Sequence, residues 1–219
     1  IIACLVGSEM CIRDRYYGYA RQDKRFSAGE VVAAGVIASH LSNACDGIVI
    51  LDIHEPKVLE NHDHPIRCVT AVPEIADWLR KEVDPDFILS PDKGAVERAR
   101  NVAELIDVPY SYLEKKRIDA HTIEHTPKDL DVSGKVVAIV DDMISTGGTI
   151  CRASDALRRQ GAVEVHAACT HGLFTSGALT RLADHVDGIH SSDSLANPRA
   201  VISGAPALAR GVQDLIGIL

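Results

Sequence analysis

Short apolar runs rich in β-branched residues alternate along the chain with longer stretches in which apolar positions recur every three or four residues. The first pattern predicts buried strands and the second helices. Strands are expected at Gly47–Leu51 (GIVIL), Phe87–Ser90, Pro109–Leu113, Lys135–Val140, Val163–Thr170 and Gly188–Ser191. Helices are expected at Val31–Ser42, Pro73–Val83, Ala95–Ile106, Thr149–Gln160, Ser176–Ala183 and Ala205–Ile218. Ser27, with Glu30 three residues on, reads as a capping box before the first helix. Gly161 stops the helix that ends at Gln160. Tyr16–Gly29 reads as a loop, and Ile118–Leu130 as a polar stretch without apolar period. Trp78 is expected in the core.

Strands alternating with helices imply parallel βαβ units, hence an α/β fold whose sheets are covered on both faces. Ligands of such sheets bind beyond the carboxyl ends of the strands. Those ends carry chemical groups here: Asp52 and His54, Asp92, Lys115 and Arg117, and Asp141 with Asp142.

The stretch Val136–Thr149 (VVAIVDDMISTGGT) is the most specific. A buried strand delivers two acids, and Ser145, Thr146, Gly147, Gly148 and Thr149 then turn into a helix. Hydroxyls and the free N–H groups of a first helical turn suit a phosphate. Paired carboxylates would repel one, so they need ribose hydroxyls or Mg²⁺; a sugar phosphate satisfies both halves.

Composition trims the alternatives. With 219 residues the chain is one large domain or two small ones. A net charge of -8 argues against a nucleic-acid footprint. No apolar run approaches the roughly 20 residues of a membrane-spanning helix. The six cysteines form no C-x-x-C pair and read as buried or free thiols of a reducing cytoplasm. His62-Asp63-His64 looks like a metal cluster but reads as a surface loop, and a structural role is expected for His171.

The acid pair and its loop resemble the phosphoribosyl-diphosphate signature of the type I phosphoribosyltransferase fold. Five other segments resemble, in order, those of the ribose-phosphate diphosphokinases, with wording nearest archaeal members: YGYARQDKRF (17–26), LDIHEP (51–56), SPDKG (90–94), EKKR (114–117) and THGLF (170–174). The resemblance implies two type I phosphoribosyltransferase-like domains with parallel sheets flanked by helices, the first incomplete. It implies transfer of a diphosphoryl group from ATP to the anomeric hydroxyl of ribose 5-phosphate, with Mg²⁺.

By the same resemblance, Arg21, Gln22 and Asp23 would hold ATP. His54 and Asp92 would help hold Mg²⁺. Asp92, Lys93 and Gly94 would form the diphosphate loop, and Lys115 and Arg117 would clamp the transferred group, the choice between Lys115 and Lys116 resting on family register. Asp141 and Asp142 would take the ribose hydroxyls, and Ser145 to Thr149 the 5-phosphate. The polar run 118–130 would close as a lid. A cytoplasmic homo-oligomer, with no nucleic-acid or membrane partner, is expected. A diphosphate-consuming phosphoribosyltransferase and a silent regulatory subunit are the alternatives; the ATP-loop segment speaks against the first, and the retained His54, Asp92, Lys115 and Arg117 against the second.

Residues 1–15 are expected to be foreign. Leu5–Arg15 shows neither helical nor strand periodicity and resembles a translated sequencing adapter. The expected organisation is then 16–71 as the remnant of an N-terminal domain, with 205–219 packing back on it, and 72–204 as the C-terminal domain. The chain as it stands is expected to be inactive or nearly so.

Overall fold

The structure is a computed structural model of the chain. It describes residues 2–6, 9–60, 65–117, 123–126 and 130–217; for 2–6, 9–11, 114–117 and 123–126 only the backbone is described. The chain divides into two compact units, Ile1–Ala71 with Gly204–Leu219, and Val72–Ser203.

The first unit holds a four-stranded sheet of β1 (Ile2–Val6), β2 (Glu9–Asp14), β3 (Gly47–Leu51) and β4 (Ile66–Val69), in that order. The β1–β2 pair is antiparallel and the other two pairs are parallel. Every residue of β3 is buried, because helices cover both of its faces. Ile48 and Ile50 pack with Ala34 and Ala38 of α1 (Ala33–Ser42). On the opposite face lies α6 (Ala205–Ile216), whose Gly211 sits so close that an added Cβ would stand 2.6 Å from Val49 and 2.5 Å from Val69. A short 3₁₀ turn, Pro56–Leu59, follows β3.

Two expectations are corrected in this unit. Leu5–Arg15 does contain a strand: Ile12 and Asp14 are buried and Arg13 is not. That period of two is hidden in the sequence because a carboxyl group occupies an inward position. Burial pushes the Asp14 carboxyl up to about 6. The capping box is absent as well. The first helix begins at Ala33 with no side-chain cap, and the Glu30 carboxylate instead accepts the Phe26 and Ser27 N–H groups at 2.8 and 3.0 Å inside the preceding turn.

The second unit is an all-parallel six-stranded sheet. Its strands are β5 (Phe87–Ser90), β6 (Tyr110–Tyr112), β9 (Val136–Ile144), β10 (Glu164–Gly172), β11 (Gly188–Ser192) and β12 (Ala200–Ile202), in the order β12-β11-β10-β9-β5-β6. Between them run α2 (Val72–Glu82), α3 (Val96–Ile106), α4 (Gly148–Arg159) and α5 (Ala178–Ala183). Val137 and Ile139 pack with Ile150, Ala153 and Leu157 of α4. Ala138 and Val140, also fully buried, occupy the alternate positions of the same strand.

The run Ile118–Leu130 is not wholly irregular. β7 (Glu114–Arg117) and β8 (Ile123–Thr126) form an antiparallel ribbon with Lys115 opposite His125. Residues 118–122 and 127–129 lie outside the described residues, as does His62-Asp63-His64. Trp78 is only partly buried and donates its indole N–H to His190 Nδ1 at 3.4 Å. Burial pushes that imidazole down to about 4. His171 is buried against the Ser194 hydroxyl at 2.9 Å. Cys45, Cys151 and Cys169 are buried free thiols, whereas Cys68 is exposed.

The Gly211 contact makes a test. Gly211→Val should destabilise the first unit by about 1–3 kcal/mol through overpacking against Val49 and Val69. Urea denaturation followed by circular dichroism measures it; unchanged stability would contradict this packing.

Candidate functional site

β9 is the axis of the site. It pairs with β5 only through Ile139, but with β10 through Ile144. The acids therefore project beyond the end of the neighbouring strand, flanked by backbone on one side and by the loop after β5 on the other. That loop carries Asp92. Its Oδ1 accepts the N–H groups of Gly94 and Ala95 at 2.8 and 3.2 Å, and Ser90 Oγ donates to its carbonyl at 2.6 Å. Asp92 thus shapes the turn into α3.

Asp141 Oδ1 accepts the Asp142 N–H at 2.9 Å, and Asp142 Oδ1 accepts the Met143 N–H at 2.8 Å. Burial holds the Asp141 carboxyl well above the usual carboxylate range; the Asp142 charge adds to this, and the Asp92 charge adds less. The three acids share one field. Cys169, opposite Asp141 in β10, has its thiol pushed up by burial and by the Asp141 charge, so it is an inert core group.

Past Ile144 the chain turns through Ser145 and Thr146 to Gly147 at φ 76°, where a Cβ would also stand 2.9 Å from Leu182. Only glycine fits there without strain. α4 starts at the next residue. Its first intrahelical bond is from Cys151 N–H to the Gly147 carbonyl at 3.0 Å, and no side chain caps it. No acid occupies its first turn. The N–H groups of Gly148, Thr149 and Ile150 precede that bond, so the positive end of the helix dipole faces the loop. Carboxyl groups and uncapped helix N–H groups thus stand at two ends of one short loop.

The expected site residues fall into two groups. Asp92, Lys93, Gly94, Asp141, Asp142 and Ser145–Thr149 lie in the second unit and share its strand ends. Lys115 and Arg117 have their backbone on β7; their side chains lie outside the described residues. Arg21, Gln22, Asp23 and His54 belong to the first unit. Gln22 is anchored by backbone bonds to Tyr19 and Ala34, and the buried Tyr17 hydroxyl donates to the Ala34 carbonyl at 2.8 Å. His54 is exposed. Asp52, beside it, is a clamp: at φ 43° its carboxylate takes the Thr70 hydroxyl at 2.7 Å and the Ala71 N–H at 2.9 Å. Among the described residues no three His, Cys, Asp or Glu side chains form a metal-holding cluster.

Three contacts of the loop escape a reading of the sequence. The Ser145 and Thr175 hydroxyls are 3.0 Å apart, Thr175 N–H donates to the Ser145 carbonyl at 3.0 Å, and Arg181 donates to the Thr146 carbonyl. No periodicity marks Thr175 or Arg181, since each acts through backbone or hydroxyl groups distant in sequence.

The phosphoribosyl transferase domain family matches residues 62–191, a range that includes this acid-and-glycine loop. Similarity extends further in particular relatives. The ribose-phosphate pyrophosphokinase of Methanopyrus kandleri is 42% identical over 92% of this chain and 70% of its own length. That of Pyrococcus furiosus is 39% identical over 88% and 69%. The crystal structure of phosphoribosylpyrophosphate synthetase from Mycobacterium smegmatis superposes with a TM-score of 0.80 at 32% identity, covering 94% of this chain and 71% of that one. The chain belongs to the ribose-phosphate pyrophosphokinase family.

Asp141 yields a pH prediction. Its folded pKa is raised, so its contribution to stability is complete below the unfolded value of about 3.9 and is lost as pH rises through the folded value. Asp141→Asn should therefore raise the melting temperature of the ligand-free protein near neutrality, by an amount that shrinks towards pH 4. A difference independent of pH would contradict the raised proton affinity of Asp141.

Proposed function

We propose that the chain carries the chemistry of a ribose-phosphate diphosphokinase, moving the diphosphoryl group of ATP to the anomeric hydroxyl of ribose 5-phosphate and releasing AMP. The observation that carries this reading is the Asp141–Thr149 loop, with its half-buried acids at one end and bare helix N–H groups at the other. The similarity to ribose-phosphate pyrophosphokinases along most of the chain selects diphosphoryl transfer to ribose phosphate over use of the product.

In this reading Asp141 and Asp142 accept the ribose hydroxyls, whose donor hydrogens relieve the repulsion between the two acids. Ser145, Thr146, Gly147, Gly148 and Thr149 hold the 5-phosphate on the helix dipole. Asp92, Lys93 and Gly94 form the loop beside which the diphosphate passes. Arg21, Gln22 and Asp23 hold the adenine nucleotide. Asp92 and His54 would help hold the Mg²⁺ that accompanies ATP, the carboxylate being the better ligand because Mg²⁺ favours oxygen, and the ion would supply neutralisation of phosphate charge. The anomeric oxygen attacks the β-phosphorus, the bond to the bridging oxygen of the α-phosphate breaks, and AMP leaves. Lys115 and Arg117 neutralise the charge of the group in transit, so catalysis rests on positioning and electrostatics. The ribbon of β7 and β8 carries those two residues and fits a segment that closes over substrate.

No helix among the described residues is long and apolar enough to cross a membrane. The substrates point to the cytoplasm, and the full-length protein acts as a homo-oligomer in this proposal.

Turnover is best tested in a chimera that joins Tyr16–Leu219 to the amino-terminal portion of the Methanopyrus kandleri relative. AMP should form only when ATP and ribose 5-phosphate are both present. Lys115→Ala should lower the rate by about 10²–10³-fold, the scale for loss of one charge-stabilising group, while ribose 5-phosphate still binds. AMP formation that ignores ribose 5-phosphate, or an unaffected Lys115→Ala rate, would overturn the assignment.

A further inference from the structure

The loop that takes the 5-phosphate is held from behind by the segment following β10. Leu173 and Phe174 N–H groups both donate to the Ile144 carbonyl at 3.0 Å, and Thr175 N–H continues the series to Ser145. The turn that makes this possible is strained. Phe174 and Ser176 adopt φ of 45° and 55°, a region that residues with side chains rarely enter. Gly172 opens it, where an added Cβ would stand 2.4 Å from the Phe174 ring and 2.8 Å from Ser191 Oγ. Local strain of this kind persists only where the surroundings over-determine the backbone.

Arg181 of α5 ties the two segments together. One guanidinium nitrogen donates to the Thr146 carbonyl and another to the Ser176 carbonyl at 3.4 Å. The first contact fixes a peptide plane. The Thr146–Gly147 peptide is trans, as are the others among the described residues, and in a trans peptide the carbonyl and the following N–H point in opposite directions. With the Thr146 oxygen turned to Arg181, the Gly147 N–H is turned away from it. The alternative orientation would aim a carbonyl dipole at an incoming anion.

We propose that Arg181 is a positioning residue for the 5-phosphate: it holds the Thr146–Gly147 peptide with its N–H available to the anion and its oxygen withdrawn. The inference rests on the reading of 145–149 as the phosphate cradle. Its charge also reaches the first turn of α4, where it acts on the Cys151 thiol. The positive potential of that helix end is thereby reinforced. The planar fork matters, because one group must serve two carbonyls, and an ammonium cannot do so in the same geometry.

The test is calorimetric titration of the 219-residue chain with ribose 5-phosphate, alongside thermal unfolding. Arg181→Ala should weaken binding by about 10–100-fold, the usual scale for losing a group that orients a ligand-binding one. Millimolar guanidinium ion should restore part of the affinity, and Arg181→Lys should recover less than the parent chain. Arg181→Gln, which keeps a donor, covers the case in which the alanine variant unfolds. Thr149→Val removes a cradle hydroxyl and serves as the reference. If Thr149→Val weakens binding and neither Arg181→Ala nor Arg181→Gln does, the role of Arg181 is wrong and the cradle stands. If none of these variants changes affinity, the cradle itself is misassigned. Loss of affinity in proportion to lost thermal stability, without rescue by guanidinium, would make Arg181 a merely structural residue.

Discussion

Two carboxyl groups on consecutive, half-buried residues at the end of a strand cannot both ionise at low cost. Asp141 shows that cost as a raised proton affinity, caused by burial first and by Asp142 next. The rest of the second unit is arranged around this tension. β9 outruns β5, so the acids stand beyond the end of that strand with β10 alone beside them. The helix that follows presents bare N–H groups within one turn of them. A ligand with hydroxyls at one end and a phosphate at the other relieves the first and satisfies the second.

The frame that keeps the loop in this shape is made of backbone more than of side chains. Gly147 supplies a conformation closed to other residues, and Leu182 fills the space a side chain would need. Residues 173–175 donate a ladder of N–H groups to Ile144 and Ser145. Asp92 spends one oxygen on the turn into α3, so its position depends on Gly94 and Ala95 as much as on any ligand. In the first unit Asp52 does similar work, fixing the chain after β3 through Thr70 and Ala71.

Much of this was legible in the sequence because it rests on local signals. GIVIL and VVAIV are apolar on both faces, which only a strand covered on both sides explains. The acids and glycines after VVAIV lie within one loop, so their chemistry could be read together. What escaped did so for physical reasons. The strand at Glu9–Asp14 hides an inward carboxyl group in its alternation. Ile66–Val69 and Ala200–Ile202 are short and interrupted by exposed positions, leaving too little pattern to mark them. The helix after Glu30 starts later than its polar residues suggest, because Glu30 bonds backward into the turn. Thr175 and Arg181 act on carbonyls and hydroxyls about thirty residues away in sequence, and only the fold brings them there.

The central claim is that the half-buried acid pair and the glycine loop form one ribose-phosphate site. Calorimetric titration with ribose 5-phosphate near pH 6, in buffers of different ionisation enthalpy, tests it directly. Ribose hydroxyls donating to Asp141 should drive off its proton, so binding should release protons to the buffer. The phosphate of the ligand titrates near this pH as well, with a second pKa of about 6; the part due to Asp141 is the part lost in Asp141→Asn. Proton release that falls in the variant is the expected result. Binding with the same proton exchange in both proteins would contradict the account.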